Sequence, residues 1–181
     1  MKVFEFLAEG FELIEATTPY DLLQRAGADV KFVAIGGSLD VRSAQGVTVR
    51  ADILAEKLKG QVPDMVILPG GMPGAQNLFD SPIVRQYLLD AEARGSLIGA
   101  ICAAPFVLGR LGLLEGRKAT CYPGFEGELT GASHAEGKVV VDGNVITGIG
   151  PGASFEFAAA LVKKAFGSET ANRVLAQMMA V

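Results

Sequence analysis

The chain has 181 residues, half of them hydrophobic, with 23 glycines and a formal charge of −4, and its mean hydropathy is +0.35. That length and apolar content suit one domain, residues 1–181, with a well-covered core, and the acidic balance offers nothing to attract nucleic acid. Two cysteines and one histidine without metal-ligand spacing argue against a metal site, and no apolar run approaches the roughly 20 residues that span a bilayer, so no membrane partner is expected.

The first element is "KVFEFLA" (2–8), a short apolar run that reads as a buried strand. Glu5, Glu9 and Glu12 interrupt what would have to be the apolar core of a signal peptide, so a cytoplasmic protein is expected rather than a secreted one. "ELIEATTPYDLLQRAG" (12–27) sets Leu13, Ala16, Tyr20, Leu23 and Ala26 on one helical side and ends at Gly27. Pro19 has no N–H, so the carbonyl of Glu15 loses its helical partner and a bend is expected there. "DVKFVAI" (29–35) is the next strand and "LDVRSAQGVTVRAD" (39–52) a hairpin. "DMVILP" (64–69) is again a buried strand. "SPIVRQYLLDAEARG" (81–95) reads as a helix with Ser81 as N-cap, Pro82 at its first position and Gly95 beyond its end. The remaining elements are a strand at 96–101, a hairpin over 138–147 leading into a strand at 145–149, and two closing helices at 152–167 and 168–180. Strands alternating with helices predict an α/β sandwich with a mostly parallel sheet covered on both faces and with added hairpins.

In such a sheet, ligands sit beyond the carboxyl ends of the strands, and three loops there carry suggestive residues. "AEGFELIEATTP" (8–19) places Glu15 early in a helix, as a site carboxylate or as a solvated charge favoured by the helix dipole. "LPGGMPG" (68–74) brings Gly70 and Gly71 after a buried strand, where backbone N–H groups can approach an oxyanion, or where the chain simply turns. "LIGAICAAPFVLG" (97–109) runs from strand to helix through Cys102 without a turn residue. A nucleophile on so sharp a turn needs small neighbours, and Gly99, Ala100, Ala103 and Ala104 supply them. A helix opening near Pro105 would aim its amino end at the sulfur and lower the thiol pKa. The alternative is an inert buried cysteine.

With Glu15, "LPGG" and "ICAAP" in this order, the sequence resembles the ThiJ/PfpI superfamily, and within it the branch of the Parkinson-linked protein deglycase and its bacterial relatives. The marks are "RAGADV" (25–30), "VILPGG" (66–71), "GAQNL" (74–78), "AICAAP" (100–105), "TCYPG" (120–124) and "GPGASFEFA" (150–158), spread over nearly the whole chain. The resemblance implies a flavodoxin-like three-layer sandwich, a homodimer, no cofactor, and Cys102 at a nucleophile elbow. It further implies that Glu15 hydrogen-bonds the sulfur, that the N–H groups of Gly71 and Ala103 serve as oxyanion donors, and that Arg25 lies near the pocket. This sequence departs from the family at three places. Ala103 follows the nucleophile where peptidase members carry His; Tyr122 stands where the deglycase branch has His; Gln45 replaces a pocket arginine. Peptidase and amidase chemistry is disfavoured accordingly. His134 matches no family position and reads as a surface loop residue.

Two readings remain. In one, Cys102 attacks an α-oxoaldehyde such as methylglyoxal, or its adduct on a thiol or amine, and Glu15 shuttles a proton through an enediol. In the other, the protein is an oxidative-stress sensor or chaperone whose Cys102 is oxidised to sulfinate beside a protonated Glu15. Cys121 would act as a resolving thiol for oxidised Cys102 or lie buried at a strand end.

Overall fold

The structure is a computed structural model that describes residues 1–180. Its elements in chain order are β1 (Lys2–Leu7), α1 (Leu13–Arg25), β2 (Asp29–Ala34), β3 (Asp40–Arg42), β4 (Thr48–Arg50), β5 (Ile53–Leu54), β6 (Met65–Leu68), α2 (Gly74–Asp80), α3 (Pro82–Arg94), β7 (Leu97–Ile101), α4 (Pro105–Arg110), β8 (Lys118–Ala119), β9 (Ser133–His134), β10 (Val139–Asp142), β11 (Val145–Gly148) and α5 (Ser154–Gln177). A seven-stranded sheet runs in the order β10-β11-β7-β6-β1-β2-β5. It is parallel except for β10, which returns antiparallel on β11 through a hairpin. This is a flavodoxin-like α/β sandwich.

Strand alternation assigns the two layers. Phe4 and Phe6 of β1, with Val66 and Leu68 of β6, join Leu88 and Phe106 on the face covered by α2, α3 and α4. Val3, Met65 and Ile67 turn the other way, where Leu22, Leu23, Phe157 and Leu161 of α1 and α5 cover them. A third cluster, with Leu7, Phe11, Phe32 and Val41, fills the space beneath the β3–β4 hairpin.

The local signals act where expected. Ser81 Oγ accepts the Val84 N–H, Pro82 opens α3, and Gly95 closes it in the left-handed conformation. The closing helical stretch is one continuous assignment interrupted at Gly167, whose φ of 86° and ψ of 168° divide it at the expected junction. α1 stays helical through Pro19. One reading is corrected: His134 lies on β9, paired in parallel with β8, rather than in a loop, although it is exposed. Its polar, glycine-flanked surroundings hid a strand of two residues.

Candidate active site

The site forms where β1, β6 and β7 end. Cys102 is the first residue after β7 and has φ of 65°, a region L-residues enter only when their surroundings impose it. Here the backbone is held on both sides: the Cys102 N–H donates to the Gly148 carbonyl at 2.8 Å, and its carbonyl accepts the Tyr122 N–H at 2.8 Å. Ala100, Ala103 and Ala104 are buried around it. This is the strand-to-helix elbow that the small residues forecast. Cys102 keeps 8 % exposure, so the residue is recessed without being fully sealed.

Glu15 enters from the first turn of α1 and is fully buried. Its Oε2 accepts the Gly70 N–H at 2.9 Å, Oε1 finds no N–H or O–H donor, and the carboxyl lies beside the Cys102 sulfur. Gly70 permits this approach. A Cβ there would stand 2.6 Å from Cys102 Cβ and 2.7 Å from Glu15 Oε2. Gly71 has φ of 83°, and its N–H, like that of Ala103, points at the sulfur. The Gly70 carbonyl accepts the Glu12 N–H at 3.0 Å, which ties this loop to the start of α1.

Burial pushes the Glu15 carboxyl up to about 7, with the negative Glu12 adding to the rise and the Gly70 N–H opposing it. The Cys102 thiol is also pushed up, to about 12, by burial and by the adjacent Glu15 carboxylate, against the pull of the Gly71 and Ala103 N–H groups. This corrects the expected acidic thiol. α4 is only six residues long, and desolvation plus like charge outweigh what its amino end and the two amides offer. The two groups titrate as a unit: between about 7 and about 12 they hold one proton and one negative charge. A reactive thiol here would therefore depend on the neighbouring carboxylate as base, not on a low intrinsic pKa.

Of the other residues singled out in the sequence, Arg25 lies apart from this pair, while Cys121 and Tyr122 run beside the Cys102 backbone. Arg25 is exposed and ion-paired to Asp21 at 3.0 Å, about 15 Å along α1 from Glu15 at 1.5 Å per residue. Tyr122 is 46 % exposed; its ring packs on Gly150 and, with Pro123, Lys138, Ile149 and Pro151, lines a cavity of about 400 Å³. Cys121 is buried in the α2–α4 layer while Cys102 belongs to the α1–α5 layer, and both thiols are free. Burial raises Cys121 to about 11.

The sequence reading did not anticipate the clamp at the start of α1. Gln45 Nε2 donates to both oxygens of Glu12 at 2.8 Å, and its Oε1 accepts the Leu13 N–H at 3.1 Å. The hairpin thus caps the helix that carries Glu15. The signal present in the sequence was a second carboxylate three residues before Glu15.

Comparison with known proteins places the chain among relatives of the same fold. The chain is 41 % identical over 177 residues to the Parkinson disease protein 7 homolog of Danio rerio, covering 96 % of this chain and 94 % of that one. It is 35 % identical over 170 residues to the glutathione-independent glyoxalase DJR-1.2 of Caenorhabditis elegans, covering 92 % and 89 %. The structure of oxidized Toxoplasma gondii DJ-1 superposes with a TM-score of 0.95 at 38 % identity, over 98 % of this chain and 97 % of that one. Residues 1–164 match the DJ-1/PfpI family, to which this chain belongs.

Proposed function

We propose that the protein is a cofactor-free, cysteine-dependent glyoxalase or deglycase acting on α-oxoaldehydes such as methylglyoxal, or on their adducts. The observation that carries the reading is the buried Glu15 carboxyl set beside the Cys102 sulfur at a strained elbow faced by two amide N–H groups. The named activity of the nematode relative supports the same class of chemistry.

The step sequence follows from that pair. Glu15 takes the thiol proton as sulfur bonds to the aldehyde carbon, and the Gly71 and Ala103 N–H groups hold the developing oxyanion. Returning the proton to that oxygen gives a hemithioacetal. Glu15 then removes the hydrogen from the former aldehyde carbon and delivers a proton to the adjacent carbon through an enediol. The product is a 2-hydroxy thioester: one carbon has been oxidised and its neighbour reduced. Water cleaves the thioester, releasing a hydroxy acid and the free thiol. The overall reaction consumes one aldehyde and one water.

The reading includes a cytoplasmic homodimer. Lactate formation from methylglyoxal without glutathione tests the function. The parent is expected to turn over and Cys102→Ser to be inert; an inert parent, or an active Cys102→Ser, overturns it.

A second reading, oxidation sensing, is favoured by the burial of Glu15 beside Cys102, which raises its carboxyl to about 7. A protonated carboxyl can donate to a sulfinate formed with two equivalents of peroxide. Selective gain of two oxygens at Cys102, without aldehyde turnover, would replace the first reading with this one.

A further inference from the structure

Glu5 occupies a place where a carboxylate has no support. It lies within β1, in register with Phe32 of β2 and Ile67 of β6, on the same face as Val3 and Leu7 by alternation. Val3 clusters with Leu22 and Leu23, and Leu7 with Ala16. The stretch of α1 between them, which includes the buried Pro19, therefore covers Glu5. The side chain has 0 % exposure, and neither of its oxygens has a hydrogen-bond partner among the described residues.

No neighbouring element supplies compensation. On this face β2 and β6 present Val30, Phe32, Ala34, Met65 and Ile67, all apolar. From α1, Glu15 is engaged by Gly70, Glu12 by Gln45, and Asp21 with Arg25 at the surface. The Tyr20 ring stacks on Phe32 at 4.2 Å. The charged residues of α5, Glu156, Lys163, Lys164, Glu169 and Arg173, are exposed. Burial is the only influence on Glu5, and it drives the carboxyl well above its ordinary range. An ionised carboxyl here would be an unpaired charge among hydrocarbon side chains.

We propose that Glu5 is a proton-loaded latch: the chain folds with this side chain as a neutral acid, and losing its proton lifts α1 from the sheet and draws Glu15 away from Cys102. The folded acid binds its proton more tightly than the unfolded chain, whose carboxyl titrates near 4.5. Its contribution to stability is therefore complete below about 4.5. Above that, it falls about tenfold in the folding equilibrium constant per pH unit, until Glu5 ionises within the fold. The latch does not depend on the reaction proposed above, and every readout below is independent of turnover.

Urea unfolding from about pH 5.5 to about pH 7 compares the parent with Glu5→Val and Glu5→Gln. The parent should lose folding equilibrium about tenfold per pH unit more steeply than either variant, because the contribution of Glu15 is common to all three. Parallel curves overturn the proposal. Infrared spectra of the parent at about pH 6, where an ordinary carboxyl is ionised, should show the carbonyl stretch of a protonated carboxylic acid, of which Glu15→Gln keeps the part that Glu5→Gln removes. Its absence from the folded parent overturns the proposal even if the variants do not fold. Hydrogen-exchange protection should then fall with rising pH faster in α1 than in α3, which covers the opposite face, and Glu5→Val should erase the difference. Equal losses in the two helices of the parent overturn the movement assigned to α1.

Discussion

Glu5 and Glu15 belong to the same first βα unit, and both are fully buried, yet their surroundings make them different acids. Glu15 stands at the carboxyl edge of the sheet, accepts the Gly70 N–H and lies against a thiol that can exchange its proton. Glu5 stands within the strand, with apolar neighbours and no donor. Burial raises both carboxyls, so burial alone does not make a catalyst. What distinguishes Glu15 is a polar partner that limits the rise to about 7 and the Cys102 sulfur beside it.

Isosteric amides break the comparison most directly. Glu15→Gln should lower lactate formation by about 10²–10⁴-fold, the range of a lost general base, while Glu5→Gln should leave turnover at about pH 6 within roughly twofold, since Glu5 touches no reacting atom. Steady-state kinetics on both purified variants checks this. A large loss in Glu5→Gln with native stability would erase the distinction drawn here.

Next in size is the spacer between Glu15 and Cys102. Gly70→Ala would put a methyl 2.6 Å from Cys102 Cβ and 2.9 Å from the Ile101 carbonyl, so the pair must separate. About 10²-fold in kcat should be lost, the scale expected for misplacing reacting groups by an ångström, together with about 1–3 kcal/mol of stability from overpacking. Unchanged kcat would show that contact between carboxyl and sulfur is not needed.

The stability cost of each carboxyl sharpens the comparison further. Since the folded Glu15 carboxyl titrates near 7 rather than 4.5, its contribution is full below 4.5 and is lost as pH rises to about 7. Glu15→Gln should therefore stabilise the fold by about 1–3 kcal/mol at about pH 8 and by little near pH 4.5. Denaturant curves at the two pH values measure it. In function, log kcat should climb with pH up to about 7 and then level, as the Cys102–Glu15 pair acquires its single negative charge.

Much of this arrangement was legible because it is local. Ser81, Pro82 and Gly95 bound α3 through bonds within a few residues, and the small residues beside Cys102 reported the elbow directly. The thiol was misread because its acidity is a sum over space: a short α4 is outweighed by burial and by a carboxylate from another loop. α2 was missed because "GAQNLFD" begins inside the glycine turn and spans seven residues. Gln45 registered only as a lost arginine, since its partners Glu12 and Leu13 lie more than thirty positions away in the chain. Glu5 was read as a charge that rules out a signal peptide, and alternation along "KVFEFL" would have placed it facing inward.

The Gln45 clamp yields the smallest effect and the finest test of what separates the two acids. Gln45 holds Glu12 through a neutral amide, so the charge of Glu12 is not cancelled and continues to raise Glu15. Glu12→Gln keeps an acceptor for the Gln45 amide and removes that charge. The ascending limb of the kcat profile should then move to lower pH by a few tenths of a unit, the modest size expected of a partly solvated charge. Raising ionic strength should produce part of the same shift in the parent and none in the variant. The infrared signal of Glu5 should be indifferent to both changes, because burial alone sets its proton. A shift of Glu5 alongside Glu15 would mean that the two carboxyls share one field, and that the strand interior is less isolated from the site than its apolar lining implies.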